Sequence, residues 1–219
     1  MLLLSPTKFE AAFLQGRGEP FSFRLRAGIR GEGWVWLESG IGKVNTAMTL
    51  AAFAAGQPVS RALLFGIAGA YPRSGLKAGG LAFASEEVQA DLGLRHSGMA
   101  GLGFASLEAS SSQFHNHFPL NQAFTDHLNT RLQLPRLRFI TRDLVSETVE
   151  EAEELSARWQ GDLENMEGAA FAQACLWLGV QGAELRAVSN LAGIRDRSQW
   201  RTREAVAGLE AAVLNIIGP

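Results

Sequence analysis

Residues 164–200 read ENMEGAAFAQACLWLGVQGAELRAVSNLAGIRDRSQW, and this stretch decides the fold. Its alanine-rich apolar segment, 166–178, predicts a buried helix. LRAVSN predicts a short strand over 185–189 that ends at Asn190. A helix feeding a buried strand is the building unit of α/β architecture. Glu167 stands where the helix begins and Asn190 where the strand ends, so an acid and an amide reach one edge of one sheet. In open α/β sheets that edge is where ligands bind. An ionised glutamate only accepts hydrogen bonds, which suits vicinal hydroxyls, while an amide donates and accepts, which suits a heterocycle edge. Together they point to a sugar attached to a base. Taken singly, each has a plainer reading: Glu167 as an electrostatic helix cap and Asn190 as a strand terminator.

The chain has 219 residues, 47% hydrophobic and 19% charged, with a net charge of −2. That length supports one sizeable α/β core, and the mixed charge offers no electrostatic footprint for nucleic acid. The opening MLLLSP is too short an apolar run for a signal peptide, and no run approaches the roughly 20 residues of a membrane span. A single cysteine, Cys175, excludes a disulfide framework and reads as a small core residue. The expectation is a soluble cytoplasmic protein without membrane or nucleic-acid partners.

Outward from the deciding stretch, strands and helices alternate. Residues 1–5 predict a buried strand ended by Pro6, followed by a helix capped by Thr7 that turns Phe9, Phe13 and Leu14 inward. FSFRLRAGI alternates as one half-exposed strand. A strand at 34–38 leads through SGIG into a helix over 43–55. RALLFG predicts a buried strand running into a glycine turn at 66–69, and GGLAFASEEVQADLG a long strand with a polar end. Residues 97–120 show little periodicity and read as a mobile loop or lid. A strand at 137–141, a polar helix at 148–159 and a closing amphipathic helix at 202–217 complete the series. No linker or repeat interrupts it, so the expected fold is a single three-layer α/β domain over 1–219, a central twisted mixed β-sheet flanked by helices.

Two nucleotide motifs fail. GIGKVNT has Val44 where a phosphate loop needs Ser or Thr, and GLGFAS lacks the third glycine of a dinucleotide fingerprint. Gly40, Ile41 and Gly42 still bring backbone N–H groups to a helix N-terminus, where a hydroxyl, water or anion could bind. His115 and His117 form an H-x-H pair without an evident third ligand, so no metal is expected. Arg195, Arg197, Arg201 and Arg203 read as a solvated surface, with one or two available to an anionic substrate group.

The motifs SGIGKVNTA, FGIAGAYP, ENMEGAAFA and LRAVSN, in that order, resemble the purine nucleoside phosphorylase and nucleosidase superfamily, in its nucleosidase branch, over nearly the whole chain. The resemblance implies hydrolysis of the N-ribosidic bond of a nucleoside, with no metal or organic cofactor. It implies that Glu10 is the general base on water, that Met166 and Glu167 pack on the sugar and bind its hydroxyls, and that Asn190 reads the base. It implies backbone approach to ribose and water at Ala68 and Gly69, and apolar walls at Val145 and Trp200. Asn165 and Asn190 stand where adenine-specific members carry acids, and an amide at 190 suits a 6-oxopurine. Family members form oligomers in which a neighbour closes the pocket, with Phe104 or Phe114 the candidates here. From the residues alone, the favoured reading of Glu10 is an exposed acid in a helix's first turn. Two alternatives stay open: a methylthioadenosine/S-adenosylhomocysteine nucleosidase, and a non-catalytic nucleoside-binding protein.

Overall fold

The computed structural model describes residues 1–109 and 112–218. The strands are β1 Leu2–Ser5, β2 Glu19–Phe23, β3 Arg26–Gly31, β4 Trp34–Glu38, β5 Arg61–Ala70, β6 Leu81–Gln89, β7 Leu107–Ala109, β8 Ser112–Phe114, β9 His117–Pro119, β10 Arg136–Thr141, β11 Leu163–Asn165 and β12 Gln181–Leu191. The helices are α1 Lys43–Gly56, α2 Gln122–Asn129, α3 Val149–Trp159, α4 Gly168–Leu178 and α5 Thr202–Ile217.

Ten strands form one mixed sheet in the order β11-β10-β6-β12-β5-β1-β4-β3-β2, with β9 paired to β6. β12, β5, β1 and β4 run parallel, β6 is antiparallel to β12, and β2, β3 and β4 form an antiparallel meander. β11 also pairs antiparallel with β5, through Leu163 opposite Ala70 and Glu164 opposite Gly69. The segment β5-β12-β6-β10-β11 therefore curls back onto itself and closes.

The apolar runs explain this arrangement. Leu2 and Leu4 of β1, with Ala62 and Leu64 of β5, pack against α1 and α4 on one face. Leu3, Leu63 and Phe65 point the other way, onto α2 and α5. A strand that alternates inward and outward yet is apolar at both phases is covered on both sides. α3 covers the closed end over Tyr71 and Ile140. Thr148 caps α3, its Oγ1 accepting from the Glu151 N–H, and Gly179 ends α4 in the left-handed conformation that a Cβ disfavours.

Four expectations are corrected. Residues 6–15 form turns and a short 3₁₀ segment, Ala12–Leu14, instead of an α-helix, and Phe9 is exposed. FSFRLRAGI is a hairpin: Arg24 adopts φ 54°, the chain reverses, and Leu25 projects into solvent. Alternating side chains fit one strand or two, and a tight turn without glycine leaves no mark in the pattern. Residues 66–69 do not turn; β5 runs straight through them to Ala70, because Arg186–Leu191 of β12 pair alongside. The stretch 97–120 contains β7, β8 and β9, each three residues long and too short to show a period, so it is not an irregular loop; residues 110 and 111 of it lie outside the described residues.

Candidate active site

A cavity of about 790 Å³ opens where the ends of β1, β5, β11 and β12 converge with residues 145–146 and the segment 193–200. Among its walls are Glu10, Ile41, Ala68, Gly69, Val145, Asn165, Met166, Glu167, Asn190 and Trp200, all expected from the sequence. Arg195 and Arg197 also line it, and Arg203 does not.

Glu10 sits just past β1 and is buried, contrary to the exposed reading. Thr7 donates its N–H and hydroxyl to Glu10 Oε2 at 3.0 and 2.6 Å, and the Ile67 N–H donates to Oε1 at 3.0 Å. Burial nevertheless raises its pKa, with those hydrogen bonds and Arg186 opposing the shift. A carboxylate gripped in one geometry, and more basic than in water, is suited to take a proton from water.

Glu167 occupies the N-cap position of α4. Its Oε1 accepts from the Gly42 N–H at 3.0 Å and its Oε2 from Arg186 Nη2 at 3.1 Å. The cap itself is made by Asn165, whose Oδ1 accepts from the N–H groups of Glu167 and Gly168 at 2.9 and 2.7 Å. Glu167 is thus not spent on its own helix; each oxygen takes one donor, and the residue lines the cavity. Asn165 borders the cavity, but Thr141, Arg186 and Glu87 share its remaining bonds.

The expectation for Gly40 and Gly42 is corrected as well. Neither lines the cavity. The Gly42 N–H goes to Glu167, and Gly40, at φ 85°, passes against the Arg26 guanidinium, where a Cβ would crowd the nitrogens. These glycines shape the turn that positions Glu167, and only Ile41 between them reaches the cavity.

Asn190 lies within β12, just beyond a bulge at Ser189. Its Oδ1 accepts from the Ser189 hydroxyl at 2.7 Å and its Nδ2 donates to the Leu191 carbonyl at 2.8 Å. Each bond leaves one donor hydrogen and one lone pair unused, so the amide still offers both to a base. Trp200 is held by its indole N–H on the Ile194 carbonyl, with the Arg195 guanidinium 5.4 Å from its ring centroid.

Arg186 was not singled out from the sequence, yet it organises the site. It is almost fully buried. Nε donates to Glu184 at 2.8 Å, Nη1 to the Ile67 carbonyl at 3.3 Å, and Nη2 to Asn165 at 3.2 Å and to Glu167. Gly66 makes the approach possible: a Cβ there would lie 2.7 Å from Arg186 Nη1 and 2.8 Å from Glu10 Oε1. The available signal was the pair of charges in AELRAVS, two apart and hence on one face of an otherwise apolar strand. Glu164 is a second such residue, accepting from Tyr71, at 2.9 Å, and from the N–H and hydroxyl of Ser146. The Ser146 bonds fix the segment carrying Val145, while burial, and then the Glu164 charge, push the Tyr71 hydroxyl pKa upward.

Of the other candidates, His115 contacts the Phe104 carbonyl and His117 contacts Glu86, and among the described residues no His, Cys, Asp or Glu cluster could hold a metal ion. Cys175 is buried, and burial raises its thiol pKa. Phe114 packs on Phe118 in the core, whereas Phe104 is exposed. Among the described residues no helix is long and apolar enough to cross a membrane.

A nucleoside-sized cavity walled by two buried carboxylates, Glu10 and Glu167, the second anchored by a buried arginine, fits one class of protein, and the family comparison agrees. The phosphorylase superfamily model matches residues 9–217, and the chain belongs to that superfamily. Within it the chain falls with the futalosine hydrolases. That of Thermus thermophilus is 56% identical over 216 residues, covering 99% of this chain and 94% of the relative. That of Streptomyces coelicolor is 33% identical over 192 residues, covering 83% and 77%. Among solved structures, the futalosine hydrolase of Helicobacter pylori matches with TM-score 0.82 at 19% identity, covering 99% of this chain and 96% of that one. A 5′-methylthioadenosine/S-adenosylhomocysteine nucleosidase from Neisseria meningitidis matches equally well, at TM-score 0.82 and 21% identity, covering 99% and 97%. At such identities these two likenesses speak for the fold.

Proposed function

We propose that the chain hydrolyses the N-ribosidic bond of futalosine, releasing hypoxanthine and dehypoxanthine futalosine in menaquinone biosynthesis. The observation that carries this reading is the 56% identity to a futalosine hydrolase over 99% of the chain. Water attacks C1′ of the ribose, the bond from C1′ to the purine nitrogen breaks, and the electron pair leaves with the base. The transition state is oxocarbenium-like. Glu10 takes the proton from water. Glu167 holds the 2′- and 3′-hydroxyls and opposes the positive charge that grows on the sugar. Asn190 steadies the departing hypoxanthine, donating to O6 and accepting from the N7–H that forms when the base takes a proton from solvent; the proton on Glu10 returns to solvent after the step.

Hydrolysis is favoured over phosphorolysis by charge. A phosphate nucleophile would meet the buried carboxylate of Glu10, while Arg186 is engaged by Glu167 and Glu184. Lys43 pairs with Asp91 and Asp143, and Lys8 does not line the cavity. Arg195 and Arg197 at the cavity wall suit the benzoate carboxylate at the far end of futalosine. Exposed Ile41, Val44, Met48 and Phe104 fit a homo-oligomer in which a neighbour closes the pocket. The test is chromatography of products from purified protein and futalosine with and without phosphate. Free hypoxanthine at an unchanged rate supports the reading; a phosphate requirement and a sugar 1-phosphate product refute it.

A further inference from the structure

Glu87 of β6 and Glu184 of β12 lie behind the site, fully buried and outside the cavity wall. Their carboxyl groups meet over Gly168, where a Cβ would collide with both. Glu87 Oε1 accepts from Asn165 Nδ2 at 2.6 Å and Oε2 from the Thr141 hydroxyl at 2.7 Å. Glu184 Oε1 accepts from Arg186 Nε at 2.8 Å, while its buried Oε2 has no donor among the described residues. Two ionised carboxylates in such contact repel strongly, and an acceptor left facing a second carboxyl is where a proton resolves the conflict. Burial and the Glu184 charge both push the Glu87 pKa well up.

We propose that Glu87 and Glu184 share one proton, Glu87 serving as a neutral acid that donates to Glu184 Oε2, and that this pair positions Arg186 against Glu167. The inference rests on the reading of Glu167 as the sugar-binding carboxylate. One negative charge on the pair balances the guanidinium, so Glu167 keeps its own charge for the ribose. Without that balance Arg186 leans wholly on Glu167 and competes with the sugar hydroxyls. The charged groups around Glu87 are Glu184 and Arg186 on β12, and Glu167 at the start of α4 acts on Glu184; Thr141 on β10 and Asn165 on β11 supply the neutral contacts.

Three readouts test this. The infrared spectrum of the wild-type protein at neutral pH should show a protonated-carboxyl band that persists in Glu10→Gln and vanishes in Glu87→Gln. The wild-type Tm should fall as pH rises above about 4.3, the unfolded glutamate value, because the folded state then holds a proton that the unfolded chain has released. Glu87→Gln should flatten that slope. Glu87→Gln keeps the donor towards Glu184 and the acceptor for Thr141 but takes the acceptor from the Asn165 amide, so it should retain kcat/KM within roughly tenfold, whereas Glu87→Gln/Glu184→Gln should lose about a further tenfold on ribonucleosides and much less on 2′-deoxy counterparts. Absence of the band, equal pH slopes in wild type and Glu87→Gln, or a double variant no worse than the single one overturns the proposal. Failure of the functional reading would show separately, as absent futalosine turnover in wild-type protein with the infrared and stability results intact.

Discussion

The Gly42 N–H donates to Glu167 Oε1 at 3.0 Å across 125 positions of sequence. The SGIG turn and the start of α4 are thereby one device: the first supplies a backbone donor that aims the carboxylate supplied by the second. Arg186 fixes the other oxygen. Glu167→Gln should fail on both counts, because an amide brings a donor to a place already occupied by two donors. A lost charged hydrogen bond costs about 1.5–3 kcal/mol, or roughly 10- to 100-fold in kcat/KM. The wild-type enzyme should discriminate against a 2′-deoxynucleoside and the variant should not. Equal wild-type rates on the ribo and deoxy forms would remove Glu167 from the sugar.

Glu10→Gln should leave ligand binding nearly intact and lower turnover by roughly 10²-fold or more, the scale of general base catalysis. The three donors on its carboxylate come from Thr7 and Ile67, so the amide NH2 must face one of those N–H groups, and retained ligand binding and folding are the control that separates lost chemistry from lost position. Its pKa is raised by burial, and only the ionised form accepts a proton. The rate should therefore fall as pH falls through that raised value, placing the acid limb of kcat/KM above the ordinary glutamate value of about 4.3. A limb at or below that value, or full turnover in the folded variant, would exclude Glu10 as the base.

Asn190→Asp should lose activity on hypoxanthine nucleosides and gain some on adenine nucleosides. The amide donates to O6, whereas a protonated acid donates to N7 and accepts from a 6-amino group. A buried polar group without a partner costs about 1–3 kcal/mol, roughly 10- to 100-fold in rate. The gain should be smaller than the loss, since Ser189 and Leu191 also hold this side chain. An unchanged ratio of kcat/KM for inosine and methylthioadenosine would show that Asn190 does not read the base.

Arg195→Ala and Arg197→Ala should raise KM for futalosine more than for inosine, which lacks the benzoate. Arg195 also stacks on Trp200, so its loss should loosen the wall as well as remove a charge. Arg203, away from the cavity, serves as the control. A parallel change for both substrates, or none, would count against carboxylate recognition.

Much of this was legible in the residues. Period and length mark α1, α3 and α5 within a residue or so, and two of the four motifs carry Glu167 and Asn190, which line one cavity; Glu10 lies outside those motifs and enters only through the family resemblance. What stayed hidden depends on non-local pairing. The Arg24 turn has no glycine, so the hairpin looked like one strand. The glycines of 66–69 looked like a turn because only the parallel neighbour β12 explains them: Gly66 makes room for Arg186 and Glu10. Arg186, Glu184 and Glu87 carry no local signature beyond charges in apolar strands, and their partners come from four separate elements.

The central claim is tested most directly by kcat/KM of the wild-type protein for futalosine against methylthioadenosine, measured side by side with product identification. The account predicts that futalosine is preferred by at least tenfold, the cost of about 1.4 kcal/mol for one mismatched polar contact at the base. Preference for methylthioadenosine would contradict it and assign the site to adenine nucleosides instead.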